Sequence, residues 1–178
     1  MTWPNFITLA RLFSVPLIVW LILTGDYRWA FCMTVIAGIS DILDGLLART
    51  LKVYSAVGAY LDPFADKMLL MGIYTALSMK ELVPLWLVIL VVFRDIVILG
   101  GIVLLWGTGK NFKIQPLLIS KVNTFFQIIT ATGALAQGAY HLLRPVMLPV
   151  LFFSTALTTL ISAAGYTIIL SRTLNQKH

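Results

Sequence analysis

The sequence predicts an all-α integral membrane protein, a bundle of six transmembrane helices with a polar cleft on the cytoplasmic side. Three observations predict it. The 178 residues are 60% hydrophobic and only 11% charged, with a mean hydropathy of +0.94, too apolar for a domain whose surface must be wet. Six apolar stretches, at residues 5–24, 28–49, 55–79, 84–106, 117–137 and 146–171, each approach the roughly 20 residues that a spanning helix needs. The breaks between them are short and polar. No linker, low-complexity tract or convincing repeat interrupts the pattern, so residues 1–178 read as one membrane domain with little mass outside the bilayer.

Each stretch has its own signature. The first lacks a basic leader and a small-residue cleavage site, so it is expected to stay in the mature protein. The second and third carry most of the acids. Cys32, the single cysteine, sits in an apolar run where it is expected to pack as a small hydrophobe; disulfides are no part of the design. The fourth stretch is apolar except for Arg94 and Asp95. The fifth opens with "ISKVNTFFQ", more polar than a structural span requires. In the sixth, Thr155, Thr158 and Ser162 can hydrogen-bond between helices. His141 and His178 are isolated near helix ends and do not read as metal ligands. Arg28, Lys80 and Arg144, with Trp29 and Trp86, read as interface anchors.

The formal charge is +6, but the bases are scattered singly near helix ends and form no stripe, which argues against nucleic acid. An anionic membrane surface or lipid is the expected partner. Six spans put both termini on one side with the second and fourth connections. That side carries Arg49, Lys52, Lys110, Lys113, Arg172 and Lys177, and the other carries Arg28, Lys80 and Arg144. The bias places the termini and the 50–54 connection in the cytoplasm, as in a bacterial inner membrane protein.

Four of the seven acidic residues, Asp41, Asp44, Asp62 and Asp66, fall between Ser40 and Lys67. Ionised groups within a span are costly and normally face a polar cavity with a function. At about 100° per residue, Asp44, Gly45, Ala48 and Arg49 lie about −60°, +40°, −20° and +80° from Asp41, on one helix face. Gly58, Asp62 and Asp66 are spaced by four and stack along one face of the next helix. The short connection makes the two helices antiparallel neighbours, with the acid pairs facing across a cleft. Gly45, Ala48 and Gly58 leave room there for a flat or bulky group. Four like charges so close require cations. Carboxylate oxygens without His or Cys select a hard divalent ion, Mg²⁺ or Mn²⁺, as a pair, and two bridged metals suit phosphoryl displacement. The bland alternative, loop acids or salt bridges to Arg49, Lys52 and Lys67, does not explain two pairs at helical spacing lined by small residues.

The pattern Asp41-x2-Asp44-Gly45-x2-Ala48-Arg49-x8-Gly58-x3-Asp62-x3-Asp66 resembles the full signature of the CDP-alcohol phosphatidyltransferases. It covers only the second and third helices, and the six-helix plan also fits that family. The resemblance implies displacement of CMP from a CDP-linked lipid such as CDP-diacylglycerol by an alcohol at a dinuclear metal site. It makes Asp41, Asp44 and Asp62 metal ligands, and Asp66 a ligand that also takes the proton of the attacking hydroxyl. It implies contacts to the CDP-lipid from Gly45, Arg49 and Ser55, beside the small Ala48 and Gly58, and from Asn5 in the Pro4-Asn5 pair. A homodimer is implied as well. Arg49 can fork onto phosphate oxygens, which suits its place.

The later helices bear on the acceptor. Arg94 and Asp95 in "VVFRDIVIL" read either as an internal ion pair locking the bundle or as an acceptor-phosphate site, with Asp95 orienting Arg94. Lys121 and Asn123 extend that site. The S-K-V-N-T run and the R-D pair resemble the CDP-diacylglycerol-dependent cardiolipin synthases. Phosphatidylglycerophosphate synthases usually carry a second lysine where this chain has Asn123. Charge agrees: glycerol 3-phosphate is close to a dianion, whereas phosphatidylglycerol is a monoanion needing less cationic compensation. Phosphatidylglycerol is therefore the expected acceptor and glycerol 3-phosphate the alternative, with inositol phosphate or serine behind them. A small divalent-cation transporter would also place acids at a cavity, but inverted repeats and matched broken helices are absent. A non-catalytic helical partner would not need all four aspartates.

Overall fold

The computed structural model describes the backbone of residues 3–51, 58–107 and 118–175, and side chains at 10–40, 66–101, 118–168 and 171. Every regular element among the described residues is an α-helix: α1 (Trp3–Thr24), α2 (Tyr27–Leu51), α3 (Gly58–Met79), α4 (Leu85–Gly107), α5 (Leu118–Tyr140) and α6 (Met147–Asn175). All six coincide with the apolar stretches, within a few residues at each end.

Helix ends are set by local chemistry. After α1, Gly25 takes φ 88°, Gly25 N–H donates to the Ile22 carbonyl at 3.1 Å and Asp26 N–H to that of Leu21 at 2.9 Å. That is a Schellman cap, which glycine adopts without Cβ strain. The same pattern closes α3 with Glu81 in the left-handed position, φ 60°: Glu81 N–H bonds the Ser78 carbonyl and Leu82 N–H that of Leu77, both at 3.0 Å.

The chain divides into two compact units, Met1–Val83 with Ala131–Arg144, and Pro84–Thr130 with Pro145–His178. In the first, α1 packs on both α2 and α3. Its interior is largely apolar, built from Ile18, Ile22, Ile73, Tyr74, Leu77 and Leu135, with Arg11 and Thr34 also buried. Gly72 of α3 lets α1 approach closely: a Cβ there would lie 3.1 Å from methyl groups of both Val15 and Val19. Arg28 lies over the Tyr140 ring, 5.8 Å from its centroid, and Trp29 is exposed.

In the second unit α4 packs on α6. Leu87, Val91 and Ile98 are buried there, but so are Arg94, Asp95, Asn123, Gln127, Thr130, Thr155, Thr159 and Ser162, while Phe93, Ile96, Phe125, Phe153, Leu157 and Leu160 are exposed. Polar groups inside and large apolar ones outside are the distribution expected when the surrounding solvent is lipid. Met147–Ile168 is long and apolar enough to cross a bilayer, and Ala10–Thr24 is a shorter apolar helix. Cys32 departs from expectation: it is a free, exposed thiol, so it points outward from α2 and does not fill the interior.

Candidate active site

The motif positions lie on two helices. Asp41, Asp44, Gly45, Ala48 and Arg49 fall within α2, and Gly58, Asp62 and Asp66 within α3. The helical backbone makes the i, i+3 and i, i+4 spacings a real register. Except for Asp66, the side chains at these positions and at Asn5 lie outside the described residues, and Ser55 falls in the undescribed 52–57 segment. The facing acid pairs therefore remain a sequence expectation. Among the described residues no group of three or more His, Cys, Asp or Glu could hold a metal, and Asp66 is the one expected ligand whose side chain is described.

Asp66 has a partner that the sequence pattern did not single out. Arg11 of α1 donates from Nη1 to Asp66 Oδ1 at 2.9 Å, within the range of charge-assisted bonds. The Arg11 side chain is 3% exposed and that of Asp66 40%: the cation is sunk among the helices and the acid is presented at their surface. Arg11 also borders a groove of about 140 Å³ between α1 and α2, with Ser14, Met33, Ala37 and Ser40. Ser40 precedes Asp41 directly, so the described lining of the groove reaches the residue before the motif. The signal that could have found Arg11 was present: a lone charge in an apolar span is a functional candidate by default.

The residues expected at the acceptor form a polar seam in the second unit. Arg94 is 3% exposed. Its Nη1 donates to Asp95 Oδ1 at 2.5 Å, its Nη2 to Ser120 Oγ at 2.5 Å and to Ser162 Oγ at 2.9 Å, and its Nε to Ser162 Oγ at 3.3 Å. The guanidinium thus ties α4 to α5 and α6. One helical turn away on α6, the Thr158 and Thr159 hydroxyls donate to Asn123 Oδ1 at 3.0 and 2.8 Å. Asn123 is fully buried, and its Nδ2 has no hydrogen-bond partner among the described residues. Further along, the Thr130 and Thr155 hydroxyls meet at 2.7 Å. Thr155, Thr158 and Ser162 therefore all bond between helices as expected. Lys121 is exposed at the start of α5.

This seam can do two things. It neutralises a buried charge, since Arg94 has a carboxylate and two hydroxyls around it. It also holds the Asn123 amide donor without a hydrogen-bond partner among the described residues, and a buried unsatisfied donor costs about 1–3 kcal/mol; fully buried as it is, it meets a ligand oxygen only where the seam opens.

Comparison with known proteins agrees with the motif. The family model for CDP-alcohol phosphatidyltransferase matches residues 1–161, which takes in the first compact unit and most of the second. A chloroplastic CDP-diacylglycerol–glycerol-3-phosphate 3-phosphatidyltransferase 1 from Oryza sativa is 37% identical over 181 residues, covering 92% of this chain and 55% of the relative. Cardiolipin synthases (CMP-forming) from Rattus norvegicus and Homo sapiens are each 32% identical over 181 residues, covering 93% of this chain and 60% of the relative. The chain thus spans little more than half the length of these relatives.

Proposed function

The chain belongs to the CDP-alcohol phosphatidyltransferase family, enzymes of phospholipid synthesis, and from that membership we propose that it transfers the phosphatidyl group of CDP-diacylglycerol to phosphatidylglycerol, giving cardiolipin and CMP. The observation that carries the acceptor choice is Asn123. It is uncharged, fully buried and bonded through Oδ1 to two threonines, with its amide nitrogen unpartnered. An amide can serve a phosphodiester monoanion, whereas a phosphate dianion calls for a second cation. Lys121 would supply positive charge on the acceptor side, and Arg94, its charge balanced by Asp95, would contribute hydrogen-bond donors to the acceptor phosphate.

In this reading the glycerol hydroxyl of phosphatidylglycerol attacks the phosphorus that carries diacylglycerol. The pyrophosphate P–O bond breaks, CMP leaves with that bond's electron pair, and the hydroxyl proton passes to Asp66, whose partial exposure leaves it open to substrate. Asp41, Asp44, Asp62 and Asp66 form an all-carboxylate donor set that fits Mg²⁺ or Mn²⁺. A pair of such ions would neutralise the pyrophosphate and stabilise the leaving oxygen. Asn5, Gly45, Ala48, Arg49, Ser55 and Gly58 would receive the CDP portion, Arg49 through bidentate contacts to phosphate.

We further read the two compact units as one domain. All six helices would span the bilayer, with the termini and the motif facing the cytoplasm as the loop cations direct, and the chain would act as a homodimer. A second acceptor reading has one observation in its favour: the rice relative is named for glycerol 3-phosphate. Membership in an enzyme family leaves the transporter reading without support. The test is competition. Purified protein in vesicles receives CDP-diacylglycerol, Mn²⁺ and equal amounts of the two acceptors, and the lipid products are identified by mass. Cardiolipin is expected; phosphatidylglycerophosphate with no cardiolipin would overturn the acceptor assignment and leave the family.

A further inference from the structure

Building on the reading of Asp66 above, we propose that Arg11 is a positioning residue for the transfer: its guanidinium holds the Asp66 carboxylate in the orientation from which it serves its ligand and the incoming hydroxyl. The direction of the relation is set by burial. A salt bridge between two mobile surface groups positions neither. Here the cation is 3% exposed and the acid 40%, so the member with fixed surroundings is Arg11. Arginine suits the task because its fork is rigid and it does not lose its proton, so it can orient a carboxylate without joining the proton transfer. A carboxylate has about four lone-pair sites, so the bond at 2.9 Å does not exclude a metal or a substrate hydroxyl.

The packing of α1 on α3 fixes the register of this contact. Val15 and Val19 lie four and eight residues beyond Arg11, and both meet Gly72, six residues beyond Asp66. Successive contacts rise together along both helices, so α1 and α3 run parallel here. The close approach at Gly72 prevents α1 from sliding, and a slide would carry Arg11 past Asp66. The lone charge in α1's apolar run is thereby accounted for: its desolvation is offset by a carboxylate it is aligned to meet.

The experiment combines a double-mutant cycle with turnover, using full-length protein in micelles and Mn²⁺ as the probe. Mn²⁺ binding, tracked by electron paramagnetic resonance, is measured for the parent, Arg11→Gln, Asp66→Asn and the double variant; CMP release from CDP-diacylglycerol is measured alongside. If Arg11 acts through Asp66, Arg11→Gln changes the Mn²⁺ dissociation constant at least fivefold in the parent and less than twofold in Asp66→Asn. Its kcat falls at least thirtyfold while KM for CDP-diacylglycerol stays within threefold, and Arg11→Lys, which keeps the charge, recovers part of the loss. A role in packing alone would instead lower thermal stability and leave the Mn²⁺ spectrum unmoved. Equal shifts in both backgrounds, or none in either, overturn the proposal. Should Arg11→Gln not fold, Arg11→Met keeps the buried stem and enters the same cycle. A parent protein that binds Mn²⁺ but releases no CMP counts against phosphatidyl transfer, and the binding cycle still decides the role of Arg11.

Discussion

Replacing Ser162 with alanine separates a charged interhelical contact from a neutral one. Ser162 is fully buried and accepts from Arg94 Nη2 at 2.9 Å and from Nε at 3.3 Å. Truncation strips Nε of that acceptor, while Nη2 keeps Ser120 at 2.5 Å. Hydrogen bonds to charged groups are worth about 1.5–3 kcal/mol; with one good and one long bond removed, a loss of about 2 kcal/mol is expected, roughly a thirtyfold change in the unfolding equilibrium. Thr130→Val is the control. It removes a neutral hydroxyl pair at 2.7 Å, and such bonds between membrane helices average only about 0.6 kcal/mol. Reversible unfolding by SDS in mixed micelles, monitored by far-ultraviolet circular dichroism, measures both. A Ser162→Ala cost no larger than that of Thr130→Val would refute the view that the buried guanidinium depends on its hydroxyl partners.

Two other expectations concern the motif and a helix end. Asp41→Asn, Asp44→Asn, Asp62→Asn and Asp66→Asn are each expected to lower turnover at least a hundredfold with the helical circular dichroism retained, since losing one charge-stabilising contact costs about 3–4 kcal/mol; near-parental turnover in Asp41→Asn and Asp62→Asn would exclude a dinuclear site. Glu81→Gly should stabilise the protein by about 1 kcal/mol in the same SDS titration, because Glu81 sits at φ 60° where a Cβ is strained and glycine is not.

The helices were legible because each needs only a run of apolar residues, and a run is a local property. The ends were less so: α5 continues three residues past the expected Gln137, to Tyr140, and nothing between those residues forbids a helix. The motif acids stood out because i, i+3 and i, i+4 spacing is visible in one dimension. Their side-chain geometry at Asp41, Asp44 and Asp62 lies outside the described residues. What the sequence could not supply were partners distant along the chain. Ser162 lies 68 residues from Arg94 and Asp66 55 residues from Arg11, and helical periodicity carries no information about such pairs. Arg11 itself was hidden by averaging: one charge in a 22-residue helix barely alters its mean hydropathy, and membrane orientation depends on cations in the loops and not on one within a span. Cys32 shows the converse error. An apolar neighbourhood in sequence says nothing about inward or outward when the outside is itself apolar.

The link between α1 and α2 also has a meaning in time. Gly25 and Asp26 are the only residues between the two helices, and their carbonyl partners, Ile22 and Leu21, have already been synthesised when the link emerges. The α1–α2 hairpin can therefore form before α3 emerges from the ribosome, at little loop-closure entropy. The Arg11–Asp66 bond cannot: it must wait for α3, and until then Arg11 has no access to this carboxylate. Released fragments ending near residue 55 should hold a formed hairpin with Arg11, read separately from Arg28 and Arg49, still accessible to a guanidine-reactive reagent, and fragments extended through Met79 should protect it.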